Sequence, residues 1–256
     1  MRAYAAFCNK EFMESVRTYK LFIMGAVFLL LGMMSPLLAR FTPAILEAVA
    51  GEMPEMVIII PEPSAYDSWL QFFSNIGQMG LLALVIVFSG LTAGEIGKGT
   101  VINMLTKGLS RGTVIFSKLS AAAAIWTVCY LLSILAAFAY TAYFWGAHET
   151  HHVFLSFFSM WLYGILLIAF VIFGGILTAS IYGSMLLTGG VVVVMMLINI
   201  LPGARPYNPI TLSGENALLL TAQRTVSDFA PALIVCAALI LLLTAGSVAV
   251  FNKKQL

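Results

Sequence analysis

Two short stretches carry residue types that could do chemistry: GEIGKGT at Gly94–Thr100 and HETHH at His148–His152. A phosphate-binding loop needs Gly, four residues, then Gly-Lys-Ser/Thr, so that backbone N–H groups wrap the phosphates and a hydroxyl reaches magnesium. With Gly97-Lys98 as the Gly-Lys pair, Thr92 stands where the first glycine belongs and Gly99 where the hydroxyl belongs. Both positions fail. His148, Glu149 and His152 do satisfy H-E-x-x-H, in which two histidines one helical turn apart hold zinc and the glutamate is general base. That chemistry requires the segment to be helical and a third ligand to arrive from elsewhere.

The elements around these stretches are those of a membrane protein. The chain has 256 residues, 61% apolar and only 9% charged, with a mean hydropathy of +0.99; soluble domains carry about 25% charged residues. Six apolar runs approach or exceed the ~20 helical residues that cross the hydrocarbon core: 21–39, 76–92, 119–144, 154–178, 184–201 and 229–251. None contains Asp, Glu, Lys, Arg or His. An ion-coupled secondary transporter needs an ionisable group inside the membrane, so energy is expected from outside the bundle. The fold expected is all-α and polytopic, a single transmembrane domain over 1–256.

Of the 13 basic residues, Arg2, Lys10, Arg17, Lys20, Lys98, Lys107, Arg111, Lys118, Lys253 and Lys254 fall on one side of such a bundle. Only Arg40, Arg205 and Arg224 fall on the other. The positive-inside rule places both termini in the cytoplasm. No basic-aromatic pattern points to nucleic acid.

Before the first run, Tyr4, Cys8, Phe12 and Val16 recur every four residues, which predicts an amphipathic helix over 1–20 lying in the cytoplasmic interface beside the lipid bilayer. Outer loops are expected over 40–75 and 202–228. The first opens with a helix signal, Thr42 as N-cap and Pro43 in the first turn. The second carries a short re-entrant or rim helix, with Ser213 as cap, Glu215 in its first turn and Arg224 in its last. Cys8, Cys129 and Cys236 lack metal-ligand spacing and are expected as small buried hydrophobes. Gly174-Gly175, Gly183 and Gly189-Gly190 are small faces that let helices approach closely.

The segment 94–118 lies between the second and third runs. From Glu95 a helical period brings Val101 and Leu105 to one side, with Glu95 suited to the N-terminal end and Lys107 to the end before Gly108. A short amphipathic helix along the membrane is predicted, then a turn, then Arg111 and Lys118 entering the third run. The order Glu95, Gly99-Thr100, Leu105, Ser110-Arg111, Lys118 resembles the permease subunits of ABC-2 type transporters. Where such families usually place a proline before the Ser-Arg, this chain has Gly108-Leu109.

The resemblance implies the membrane-spanning permease of an ATP-driven exporter, with Glu95, Gly99, Thr100, Leu105, Ser110, Arg111 and Lys118 forming a cytoplasmic coupling segment. It also implies a separate ABC ATP-binding subunit, two copies per complex, carrying the ATP and magnesium. A second permease chain completes the assembly, a homodimer being expected. The expected location is a prokaryotic inner (plasma) membrane. On this reading the chain is a transport subunit and not an enzyme, and no metal is expected. The alternatives are a zinc-dependent membrane metalloprotease at His148, Glu149 and His152, or a non-energised channel or scaffold.

Overall fold

The computed structural model describes residues 2–50, 62–97, 99–100, 105–106, 108–146 and 151–254. Among them every regular element is helical. Six helices are long and apolar enough to cross a membrane: Lys20–Leu46, Ala65–Gly97, Arg111–Trp145, Val153–Thr178, Ile181–Ile198 and Val226–Lys253, hereafter spans 1 to 6. Helix α1, Arg2–Arg17, precedes them.

Helices run past the apolar stretches at several ends, because a helix needs only satisfied backbone, whereas a hydropathy run stops at the first charge. Span 1 lies in a helix that continues to Ala50 with Pro36 and Pro43 inside it. The separate helix expected from Thr42 is therefore not there. Thr42 donates its hydroxyl to the Leu38 carbonyl at 2.6 Å rather than capping a new start. Span 2 begins at Ala65, where Ser64 and Asp67 form a reciprocal capping box. Residues 40–50 continue the helix of span 1, and 65–75, expected within the outer loop, are helical too. A π-turn over Ile76–Gly80 interrupts span 2.

Span 4 is the axis of the bundle, with 78% of its most apolar window buried against 17% for spans 5 and 6. It packs on spans 2, 3, 5 and 6 and on two short outer helices, Thr211–Gly214 and Ala217–Leu220. These two replace the single rim helix expected from Ser213, whose hydroxyl bonds the Ile210 carbonyl instead of capping.

Missing side chains allow the closest approaches. A Cβ on Gly32 of span 1 would lie 2.4 Å from the Ser133 carbonyl oxygen of span 3, and one on Gly164 of span 4 would lie 2.5 Å from the Trp126 ring. Gly174, Gly175 and Gly183 are also in tight contact, whereas nothing lies within 4 Å of a Cβ on Gly189 or Gly190. The last pair therefore faces open space rather than a neighbouring helix. Trp126 stacks on Tyr130 at 4.9 Å and donates its indole N–H to the Trp161 carbonyl. Such aromatic pairs add roughly 0.5–1.5 kcal/mol beyond their burial.

Candidate functional site: a buried charge cluster at the basic end

The end of the bundle that carries both termini holds a set of charges drawn from three elements. Lys118, two turns into span 3, is 1% exposed, and Glu11 of α1 is 2% exposed. Lys118 Nζ donates to Glu11 Oε2 at 2.9 Å and to the Leu91 carbonyl of span 2 at 3.0 Å. It also lies 2.7 Å from Glu95 Oε2, an ion pair outside hydrogen-bond geometry. Lys10 donates to Glu11 Oε1 at 2.9 Å and to Glu95 Oε1 at 3.0 Å, and pairs with Glu14 at 2.7 Å. Two ammonium groups thus hold three carboxylates whose oxygens come within 4.8 Å of one another.

Burying charge is costly unless it is paired and hydrogen-bonded, so this packing is stable only with α1, span 2 and span 3 all in place. Glu95 sits in the last turn of span 2, not at the start of a new helix. There its carboxylate reaches α1 and span 3 together.

The face that α1 turns to the bundle is Phe7, Glu11 and Ser15, at 6%, 2% and 2% exposure. The stripe of Tyr4, Cys8, Phe12 and Val16 lies beside it: Tyr4 and Phe12 are exposed, Cys8 and Val16 half-buried. Hydropathy counts Glu11 as a surface residue, and Lys118 from a distant span together with neighbouring Lys10 offsets the cost of its burial. Tyr4 Oη still shares a 2.6 Å hydrogen bond with Ser120, and Cys8 Sγ approaches the Ser117 carbonyl.

Burial alone would lower the Lys10 pKa, but its bonds to Glu14 and Glu11 outweigh that and raise it above 10.5. Burial would likewise raise Glu14, but the Lys10 bond, with Lys118 and Lys20 in electrostatic reach, lowers it below 4.5. The Glu14 contribution is complete above 4.5 and disappears as pH falls through its lower folded value. The Lys10 contribution is complete below 10.5 and disappears as pH rises through its higher folded value. A spin label on exposed Met13 should therefore keep constant mobility between these limits and loosen beyond either. A mobility step inside the window would contradict the assignment.

The remaining residues of the segment shape its two ends. Gly99, at φ 69°, makes the turn after span 2, and Thr100 donates to the Glu95 carbonyl at 3.2 Å. Leu105 packs at the edge of the core. Gly108, at φ 87°, makes the turn before span 3 with a left-handed backbone that glycine adopts without strain. Ser110 caps span 3 by accepting the Thr113 N–H at 3.1 Å. Arg111 does not pair with Glu95. It donates to the carbonyls of Phe251 and Lys254 at the end of span 6, its guanidinium 5.4 Å from the Phe251 ring centre. Lys254 in turn donates to the Ile176 carbonyl near the end of span 4. These cations satisfy carbonyls that a helix C-terminus leaves open. Of the helix predicted from Glu95 to Lys107, residues 98, 101–104 and 107 lie outside the described residues.

This geometry, a connection whose ends are tied to α1, span 3 and the end of span 6, belongs with one finding from comparison. The family model for the ABC-2 family transporter protein matches residues 5–256. The chain belongs to the ABC-2 transporter family. No curated protein matches it. As an ABC-2 chain it is an integral membrane transport subunit, a permease.

The motif at the opposite end has no comparable organisation. His151 and His152 lie in a bend before span 4, and His152 is its left-handed N-cap residue at φ 46° and ψ 33°. His148 and Glu149 lie outside the described residues. Among the described residues the one acidic or metal-ligand trio is Glu11, Glu14 and Glu95, and two lysines already pair with its carboxylates.

Proposed function

We propose that this permease is driven by a separate ABC ATP-binding subunit, that it exports its substrate, and that residues 94–118 receive the ATPase stroke at the cytoplasmic face. The observation that carries this reading is Glu95, which joins the end of span 2 to Lys10 of α1 and Lys118 of span 3. A push on the connection is then shared by three elements instead of being absorbed in a flexible loop. Arg111 extends the frame to span 6, and Lys254 carries it to span 4. The Lys and Arg bias puts this end in the cytoplasm, where ATP is available. ATP and magnesium belong to the partner, with two ATPase copies and two permease copies as the assembly. A prokaryotic plasma membrane is the setting this reading implies.

The test is co-purification with the ATPase, followed by substrate-stimulated hydrolysis. Hydrogen bonds to charged groups contribute roughly 1.5–3 kcal/mol each, so Glu95→Ala should leave the chain inserted while stimulated turnover falls at least about tenfold, the lower end of that range. Arg111→Ala should act in the same direction. Full binding and full stimulated turnover in both variants would remove the coupling role.

A further inference from the structure

The charge cluster and the helix-end bonds leave part of the basic end's charge unspent. Lys10 and Lys118 pair with carboxylates, and Arg111 and Lys254 bond carbonyls at the ends of spans 6 and 4. Arg17, Lys20 and Lys253 have no hydrogen-bond or ion-pair partner among the described residues. Arg17 ends α1 and Lys20 begins span 1, so two of these three cations share one corner.

Thr18 and Tyr19 make that corner. Thr18 donates its N–H to the Glu14 carbonyl at 2.8 Å and Tyr19 to the Val16 carbonyl at 3.1 Å, and the chain turns at Tyr19 with φ 59°. Bulky residues rarely take this left-handed conformation, and strained residues of this kind gather at ligand clamps and switches. The Tyr19 ring is exposed, 6.2 Å from the exposed ring of Phe22, and Ile23 beside it is exposed as well. Phe22 and Ile23 lie within span 1. The corner thus joins an apolar surface at membrane depth to exposed Arg17 and half-buried Lys20. Around it Lys10, Arg17, Lys20 and Lys118 face only Glu11, Glu14 and Glu95, which leaves a positive excess. The Lys and Arg bias puts this end in the cytoplasm, where the leaflet surface is negative.

We propose that the corner between α1 and span 1 binds an anionic phospholipid of the cytoplasmic leaflet, its phosphate on Arg17 and Lys20 and its acyl chains along Phe22 and Ile23. A soluble protein could meet the two cations but could not cover side chains inside the membrane. A free phosphate would likewise leave the apolar half bare. A second copy of this chain, meeting the same surface across a two-fold axis, would set Arg17 and Lys20 against their own kind. The lipid fastens the C-terminal end of α1 as the charge cluster fastens its middle, and this holds whether or not residues 94–118 receive an ATPase stroke.

The probe is a phosphatidylglycerol with a photoreactive group near its head, presented to the full chain in phosphatidylcholine nanodiscs, with labelling read over residues 12–23. A basic residue near an anionic surface contributes about a fivefold preference. Arg17→Gln should therefore cut labelling about fivefold, and Arg17→Gln with Lys20→Gln at least about tenfold. Lys253→Gln removes the same charge from the same end and should change nothing. Arg17→Lys with Lys20→Arg keeps both charges and should label like the parent, which separates loss of charge from loss of fold. Unlabelled phosphatidylglycerol should compete, whereas added phosphatidylcholine of equal chains and inorganic phosphate should not. Equal loss in Arg17→Gln and Lys253→Gln would mean diffuse attraction and overturn the site. Equal competition by phosphatidylcholine would mean bulk lipid contact, and displacement by inorganic phosphate alone would mean an anion site without a lipid; either overturns the assignment. Crosslinking of Phe22→Cys chains to one another in place of labelling would give the corner to a second copy. Labelling needs no ATPase, so its failure would sink this inference and leave the transport reading standing.

Discussion

Lys118→Met is expected to free α1 from the bundle. Two cations serve three carboxylates here, and the substitution leaves Lys10 alone for all three while Glu11 keeps its 2% exposure. Removing one partner of a buried ion pair costs roughly 3–5 kcal/mol. That is a large part of the roughly 5–15 kcal/mol by which domains are stable. Replacing both partners with apolar groups is often neutral, so Lys118→Met combined with Glu11→Leu should recover much of the loss, with Glu95 still held by Lys10. The measurement is thermal unfolding of the purified chain, with protease access to residues 2–17 as the local reading. If the single variant unfolds like the parent, or the pair is as damaged as the single, the cluster does not hold α1.

Gly32→Leu should be at least as damaging, by a different route. The new Cβ would sit 2.4 Å from the Ser133 carbonyl oxygen and 2.9 Å from its Cα. Both atoms are backbone, so no rotamer change can relieve the contact, and spans 1 and 3 must move apart. Their shared surface includes Phe28 and Trp126, whose rings are 5.2 Å apart. Overpacking typically costs about 1–3 kcal/mol; a clash against main chain should reach or exceed the upper figure. Gly25→Leu is the matched control, since nothing lies within 4 Å of a Cβ there. Size-exclusion profiles of the two detergent-extracted variants distinguish the cases: a monodisperse peak for Gly25→Leu and aggregation or loss for Gly32→Leu. Two indistinguishable profiles would remove Gly32 as a packing constraint.

Six spans and the gathering of basic residues at one end could be read from the sequence because hydropathy and charge are properties of contiguous residues. A run of about 20 apolar residues has few alternatives to a membrane helix. The Glu95–Lys118 pattern marked the connection for the same reason: its glycines and its Ser110 cap act within a turn or two of where they stand. Partners were different. Glu95 could have met Arg111, 16 positions on, and instead meets Lys10, 85 positions away, while Arg111 reaches span 6 across 140 or more. Nothing local chooses between such pairings; helix packing does. The burial of Glu11 was hidden because a lone glutamate on a helix belongs in water until a buried lysine is brought against it. Pro43 marked a helix start by local preference, yet the helix runs through it to Ala50. Gly189-Gly190 carried the same composition as Gly174-Gly175, but only the latter found neighbours. A small residue permits close approach without requiring it, and the tertiary structure decides which permissions are used.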